Sequence, residues 1–353
     1  MAPILHPESP TGPAARGSAR SDSGEEPVGT SDRSPVRAGQ PAIGADRHRP
    51  HRRRADETDS RPARPSLSEV AVTAPITVGY DGSPESTAAA QWAVREAELR
   101  GLRLELLLAW PWMAEEMLGQ PDAVAESRSR LGRQEAELRA QLSTVDVTAV
   151  QWTGSAGQAL VEAGEHAAML ALGSRGLSTL RGFLVGPVGR HVLERAACPI
   201  VLVRPTRDTP RSTGEVVLGL DLDHHCGGVI AFAFESAALR SVPLRVVHAW
   251  RPPGGGDLAP AVVAELEEEM AADAMERFTA AVGPWREKYP DVTVVASLLR
   301  GSPAATLIDA VGRPDLLVVG RRSGAGSGGP HLGPVTEAAV HHVHSPLAVV
   351  PYG

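Results

Sequence analysis

The sequence predicts an α/β protein built from two successive copies of one unit, each an open parallel sheet flanked by helices. Two observations carry this. Short apolar runs bounded by glycine or proline alternate with longer helical stretches, and strands that alternate with helices pair in parallel through right-handed crossovers. The same landmarks then return in the second half, which marks a tandem duplication. Asp81 and Trp110 recur as Asp221 and Trp250 at an offset of 140 (221 − 81 and 250 − 110). Gly154-Ser155 and Gly173 recur as Gly301-Ser302 and Gly320 at an offset of 147 (301 − 154 and 320 − 173). The change of offset puts an insertion between Trp250 and Gly301, where Gly254-Gly255-Gly256 and the acidic stretch Glu265 to Glu269 stand.

Residues 1–74 are rich in Pro, Arg, Ser, Asp and Glu, with almost no periodic apolar content. Such a segment cannot bury enough surface to offset its ordering entropy, so a disordered tail is expected. Within it, Arg47-His48-Arg49-Pro50-His51-Arg52-Arg53-Arg54 reads as solvated charge nearly balanced by neighbouring acids, in preference to a site for an acidic partner.

The first unit is expected over 75–205. Pro75 to Gly82 reads as a short buried strand ending in a turn. Ser83-Pro84-Glu85 starts a helix, with Ser as N-cap, Pro at the first helical position and Glu where the dipole favours it. Ala90, Ala93, Val94 and Ala97 give that helix a narrow apolar face, and Gly101 ends it. Leu102 to Trp110 reads as a second strand buried on both faces. A charged helical stretch runs from Ala123 to Leu142, and Val145 to Trp152 is a third strand. Gly154-Ser155-Ala156 caps a helix to about Ala167, a fourth strand delivers Gly173, a glycine loop leads to a helix from Val188 to Ala197, and Cys198 to Val203 is a fifth strand. After a linker over 206–213 the pattern restarts, giving a second unit over 214–353.

The chemistry concentrates where the fourth strand meets its helix. Ala171-Leu172-Gly173-Ser174-Arg175-Gly176 is followed nine residues later by Gly186-Pro187-Val188-Gly189. Strand, glycine loop and helix start make an anion site: backbone N–H groups lack partners, the dipole favours negative charge, and glycine lets a phosphate come close. Gly320-Arg321-Arg322-Ser323 and Gly333-Pro334-Val335-Thr336 repeat the arrangement. Lys288 is the single lysine, remote from any glycine loop, which excludes a Walker-type ATPase and lysine-based kinase chemistry. A formal charge of -7 argues against a dedicated nucleic-acid binder. Two cysteines, Cys198 and Cys226, make no disulfide framework and suit a reducing cytoplasm. No apolar run reaches the roughly 18 to 20 residues that span a bilayer, and the amino terminus lacks the pattern of an export signal.

Taken together, these motifs resemble the universal stress protein family, present as a tandem pair over about 75 to 352. The resemblance rests on Gly79-Tyr80-Asp81-Gly82-Ser83, Gly173-Ser174-Arg175-Gly176, Gly186 to Gly189 and Cys198-Pro199 in the first copy. In the second it rests on Gly219-Leu220-Asp221, Gly320 to Ser323, Gly333 to Thr336 and Ser345-Pro346. It implies two Rossmann-like domains of the adenine nucleotide alpha hydrolase-like kind, each with five parallel strands in the order 3-2-1-4-5 and ATP, carried with or without Mg, at the switch point. It also implies that the copies pair through their last strands, and it leaves room for a homodimer and for a protein partner the sequence does not name. Neither nucleic acid nor membrane is an expected partner.

Carried over residue by residue, the resemblance puts Tyr80, Asp81 and Ala109 at the adenosine. It puts Leu172, Gly173, Arg175 and Gly176 at the ribose and first phosphates, and Gly186, Pro187, Val188 and Gly189 at the phosphate end. The matching residues of the second, weaker site are Leu220, Asp221, Ala249, Val319, Gly320, Arg322, Ser323, Gly333, Pro334, Val335 and Thr336. The departures fall on the phosphates. Pro187 and Pro334 replace a hydroxyl residue and remove an N–H. A lost hydrogen bond to a charged ligand is worth roughly 1.5 to 3 kcal/mol, or about ten- to a hundredfold in affinity. Gly189 lacks a second hydroxyl, Ser323 replaces the second glycine, and Leu222-Asp223-His224 brings a further carboxylate near a polyanion.

Other constellations have blander readings. Asp81 and Asp221 suit ligand recognition or turn capping better than catalysis. Arg175 and Arg181 could clamp phosphate or stand solvated. His341, His342 and His344, and His224-His225-Cys226, lack the spacing of a metal site, and a His at a helix C-terminus already suits the dipole. Trp110, Trp112 and Trp250 suit packing better than base stacking. No nucleophile elbow occurs, so no enzyme is expected. The reading is a cytoplasmic, adenine-nucleotide-binding regulator of stress response that works by binding, with the first copy the better site. The alternative is a nucleotide-independent interaction or dimerisation scaffold with degenerate ATP sites.

Overall fold

The computed structural model describes residues 74–110, 145–176, 183–184, 186–205, 212–251, 259–323 and 332–353, with helical positions 126, 129, 132–137 and 140. Residues 1–73 of the expected tail, Trp112, Arg181, Gly254-Gly255-Gly256 and the linker stretch 206–211 lie outside the described residues. All described elements fall within Ala63–Gly353.

In the first repeat β1 (Ile76–Gly79) leads through α1 (Pro84–Arg100) to β2 (Leu104–Trp110), then β3 (Val147–Thr153), α2 (Ala156–Ala163) and β4 (Met169–Gly173). A hairpin of β5 (Arg175–Gly176) and β6 (Phe183–Leu184) follows, then α3 (Pro187–Arg195) and β7 (Ile200–Val203). The second repeat runs β8 (Val216–Gly219), α4 (Gly227–Arg240), β9 (Leu244–Trp250), α5 (Pro260–Lys288), β10 (Val294–Arg300), α6 (Pro303–Val311), β11 (Leu316–Arg322), α7 (Pro334–His342) and β12 (Leu347–Tyr352).

All but the hairpin strands join one ten-stranded sheet in the order β10-β9-β8-β11-β12-β7-β4-β1-β2-β3. Each half shows the 3-2-1-4-5 order, parallel throughout. The halves meet where β12 pairs antiparallel with β7, Leu347 opposite Leu202 and Val349 opposite Ile200. Successive residues of the central strands feed opposite cores. Val201 and Val203 pack under α1 and α4, whereas Ile200 and Leu202 pack under α2, α3, α6 and α7. This two-sided burial is why those strands read as unbroken apolar runs.

Local chemistry starts and stops the first helix where expected. Ser83 caps α1, its hydroxyl accepting from the Ser86 N–H at 3.1 Å, with Pro84 at the first helical position. Gly101 closes α1 in the left-handed region at φ 65. In the second repeat Cys226 makes no side-chain cap, and Ser241 takes the left-handed closing position at φ 53. The helix expected to reach Ala167 stops at Ala163, because a turn over 164–166 brings the chain into β4.

Charged groups brace the junction of the repeats. Glu96, only 1% exposed, pairs with Arg100 at 2.6 Å and with Arg240 from α4. Arg100 also reaches Glu235 at 3.0 Å and the Ser236 hydroxyl at 3.0 Å. On the other face, buried Arg321 donates to the carbonyls of Glu194, at 2.9 Å, and Ala196, at the C-terminus of α3. Arg204 does the same for Val340 of α7. Each guanidinium therefore sits at the negative end of a helix in the opposite repeat.

Candidate functional site

In the second repeat a cavity of about 540 Å³ opens at the C-terminal ends of β8, β9 and β11. That is the switch point of an open sheet, where strand order reverses and ligands bind. Ten of the eleven residues expected there line it, from Leu220, Asp221 and Ala249 through Val319, Gly320 and Arg322 to Gly333, Pro334, Val335 and Thr336. Ser323 is the exception. Its N–H donates to the Tyr352 carbonyl at 2.6 Å and prolongs the β11–β12 ladder.

Asp221 is held by its own turn. One carboxylate oxygen accepts from the Asp223 N–H at 2.9 Å, and the other meets His224 Nδ1 at 2.8 Å. Asp81 makes the same kind of turn, accepting from the Ser83 N–H at 3.0 Å. Asp223 lines the cavity, yet it pairs with Arg277 of α5 at 2.7 Å, and that hydrogen bond holds its carboxyl below the usual range. The carboxylate that reads as a repulsive neighbour for a polyanion is therefore offset by a cation from the long helix.

Gly333 and Pro334 begin α7 with no side-chain cap, and Gly186 and Pro187 begin α3 likewise. Pro334 is exposed and Val335 half-buried at the cavity, while Pro187 and Val188 are exposed and Gly189 half-buried at the start of α3. Thr336 behaves differently from the resemblance: it is 3% exposed, and its hydroxyl donates to the Gly320 carbonyl at 2.8 Å. Its one proton serves the strand end and not a phosphate.

Gly173 and Gly320 are matched in sequence but not in surroundings. A Cβ on Gly173 would meet the Glu85 carbonyl oxygen at 2.6 Å, so the first turn of α1 packs directly on the end of β4. A Cβ on Gly320 would meet the Tyr352 ring at 2.7 Å. Ser83-Pro84 lets α1 begin three residues after Asp81 (84 − 81), whereas α4 begins six after Asp221 (227 − 221). The retreat of α4 leaves room that Tyr352 fills.

The first repeat distributes its candidates differently. Tyr80 is 6% exposed and donates its hydroxyl to Gln134 at 3.1 Å, which places it in the core. Leu172 is buried and Ala109 half-buried in the core on the opposite face of the sheet. Arg175 and Gly176 form β5, Arg175 opposite Leu184 and Gly176 opposite Phe183. Residues 177–182, which complete that corner, lie outside the described residues.

Sequence reasoning missed His248, Tyr352 and Cys226, which also line the cavity. His248 Nδ1 faces the Leu220 carbonyl at 2.9 Å, and the Tyr352 and His224 rings stand 6.2 Å apart. Only the position of Tyr352 at the end of the last strand offered a signal. Burial, reinforced by Asp221, pushes the Cys226 thiol up to about 11, and burial pushes Cys198 up to about 12. Both stay protonated near neutral pH and make poor nucleophiles. Among the described residues no group of three or more His, Cys, Asp or Glu could hold a metal, and no helix is long and apolar enough to cross a membrane.

An open parallel sheet with helices on both faces, duplicated and fused through its last strands, defines a tandem Rossmann-like α/β protein with a cavity at a switch point. The profile of the universal stress protein family matches residues 73–204 and again 213–351. A universal stress protein of Mycobacterium tuberculosis is 31% identical over 300 residues, covering 78% of this chain and 94% of its own. Another, from Mycolicibacterium smegmatis, is 28% identical over 286 residues, covering 78% of this chain and 96% of its own. A solved universal stress protein from Archaeoglobus fulgidus superposes with a TM-score of 0.59 at 16% identity, covering 79% of this chain and 98% of its own. The chain belongs to the universal stress protein family.

Proposed function

We propose that the chain is an adenine-nucleotide-binding regulator in stress response, acting by binding and not by turnover, with ATP, carried with or without Mg, as its ligand. Its two domains would span 75–205 and 214–353. The observation that carries this reading is the second-repeat cavity, lined by the residues that the family resemblance assigns to adenosine and phosphate, with the start of α7 opening onto it. Unpaired N–H groups at that helix start supply the attraction for phosphate.

The first repeat is proposed as the better site. It keeps Gly176 where the second has Ser323, and Ser83-Pro84 starts α1 close to the strand end. In the second repeat three groups work against tight binding: the Thr336 hydroxyl is committed to Gly320, the Tyr352 ring covers Gly320, and His224 occupies Asp221. The commitment of Thr336 also favours a second reading, a nucleotide-independent interaction scaffold.

Isothermal titration with ATP and Mg separates the two. Saturable binding that weakens on Asp81→Ala, and tightens about tenfold when Pro187→Ser restores a hydroxyl and an N–H, supports nucleotide binding. Binding that is absent, or indifferent to both changes, supports the scaffold.

A further inference from the structure

A larger concavity than the strand-end cavity lies at the junction of the repeats. It has a volume of about 1060 Å³ and sits over the end of the seam where β7 finishes and β12 begins, between α1 and α4. Basic side chains reach it from separate elements: Arg95 from α1, Arg204 from the end of β7, Arg240 from α4, Arg313 from the approach to β11, and His344 from the approach to β12. Its acidic lining groups are Glu96 and Asp315. Glu96 is buried in its pairing with Arg100 and Arg240, and Asp315 accepts from the Ser212 hydroxyl. Arg95 and Arg313 are exposed, with no ion-pair partner among the described residues. In a chain of formal charge -7, a concavity with this excess of guanidinium is a focused positive field.

We infer that this groove is a further ligand site, distinct from the second repeat's strand-end cavity and adjoining the first repeat's corner at Gly82 and Pro84, and that it takes an organic anion with one carboxylate or phosphate head and a flat apolar body. The head follows from the guanidiniums, whose planar forks match carboxylate and phosphate oxygens. The body follows from size and from the rest of the wall. The volume exceeds what an inorganic ion fills and suits a small organic ligand. Trp92, Leu99, Leu239 and Pro314 supply apolar surface, and Leu99 is 39% exposed. Burial alone pulls Arg204 down to about 10, a cost that a bound anion relieves while the guanidinium stays charged at neutral pH. Burial first, then Arg313 and Arg204, pull His344 down. Those three groups therefore form one electrostatic cluster at the head-binding end.

Fluorescence titration of the full chain with 2-naphthoate and 2-naphthyl phosphate tests this, and comparison of the two separates a carboxylate from a phosphate preference. Saturable binding is expected, weakening about tenfold on Arg313→Glu and less on Arg313→Gln. It should weaken as salt is added and remain unchanged on Arg322→Glu, which alters the strand-end cavity instead. Both positions are exposed, so the variants should keep the far-ultraviolet circular dichroism of the parent. Absence of saturable binding to either probe overturns the inference. So does equal binding of uncharged 2-naphthol, or a loss on Arg322→Glu matching that on Arg313→Glu.

Discussion

Ser241 stands where the first repeat has Gly101, and it bears a left-handed backbone that glycine adopts without a Cβ penalty. Ser241→Gly should therefore stabilise the chain by about 1 kcal/mol, read as a higher midpoint in urea with unchanged slope. Gly173 is the opposite case. A Cβ there would press on the Glu85 carbonyl oxygen, so Gly173→Ala should destabilise by roughly 1 to 3 kcal/mol. A neutral result would mean that α1 can back away from the strand end as α4 does. Residue-scale features were legible in part. Ser83 and Gly101 announced themselves because a cap acts within four residues of itself. Tyr352 on Gly320 and Thr336 on the Gly320 carbonyl did not, since each contact joins positions that only the folded sheet brings together.

At the scale of elements, the long helix α5 reaches the second repeat's corner. Helix α5 carries Arg277 to Asp223 and so changes the charge of the corner beneath it. Arg277→Ala should leave Asp223 uncompensated, and its pKa, followed by NMR, should rise toward the ordinary carboxylate value. A second pair bears on acid stability. Glu215 is held below its ordinary value, chiefly by its hydrogen bonds to Arg245, at 2.9 Å. The folded state favours the charged form, so this stabilisation is present above the unfolded pKa of about 4.3 and is lost as pH falls through the lower folded value. Arg245→Gln should flatten the fall in stability below about pH 4, measured by denaturant unfolding across that window. The strand and helix pattern was readable because buried parallel strands are apolar on both faces. The β5–β6 hairpin was not, because two-residue strands carry no periodicity.

At the scale of the molecule, the repeats are fused by more than the β7–β12 ladder. Glu96 binds Arg240 across 144 positions of sequence, and Arg321 reaches the end of α3 across 127 and 125. No sequence motif marks such pairs, which is why the duplication was legible while its bracing was not. Glu96→Ala should destabilise by about 3 to 5 kcal/mol, because it leaves the largely buried Arg240 without its carboxylate and Arg100 with Glu235 alone. Calorimetry should then show whether the halves still melt as one transition.

The antiparallel seam has a geometric consequence for ligands. Strands of the two repeats run in opposite senses, so their carboxyl ends, with the second-repeat cavity beyond one and the first-repeat corner beyond the other, face away from each other across the sheet. One small molecule cannot reach both ends, and a macromolecule that touches both must grip two rims at once. A ligand at one end can influence the other only by altering how the halves press together along their common spine.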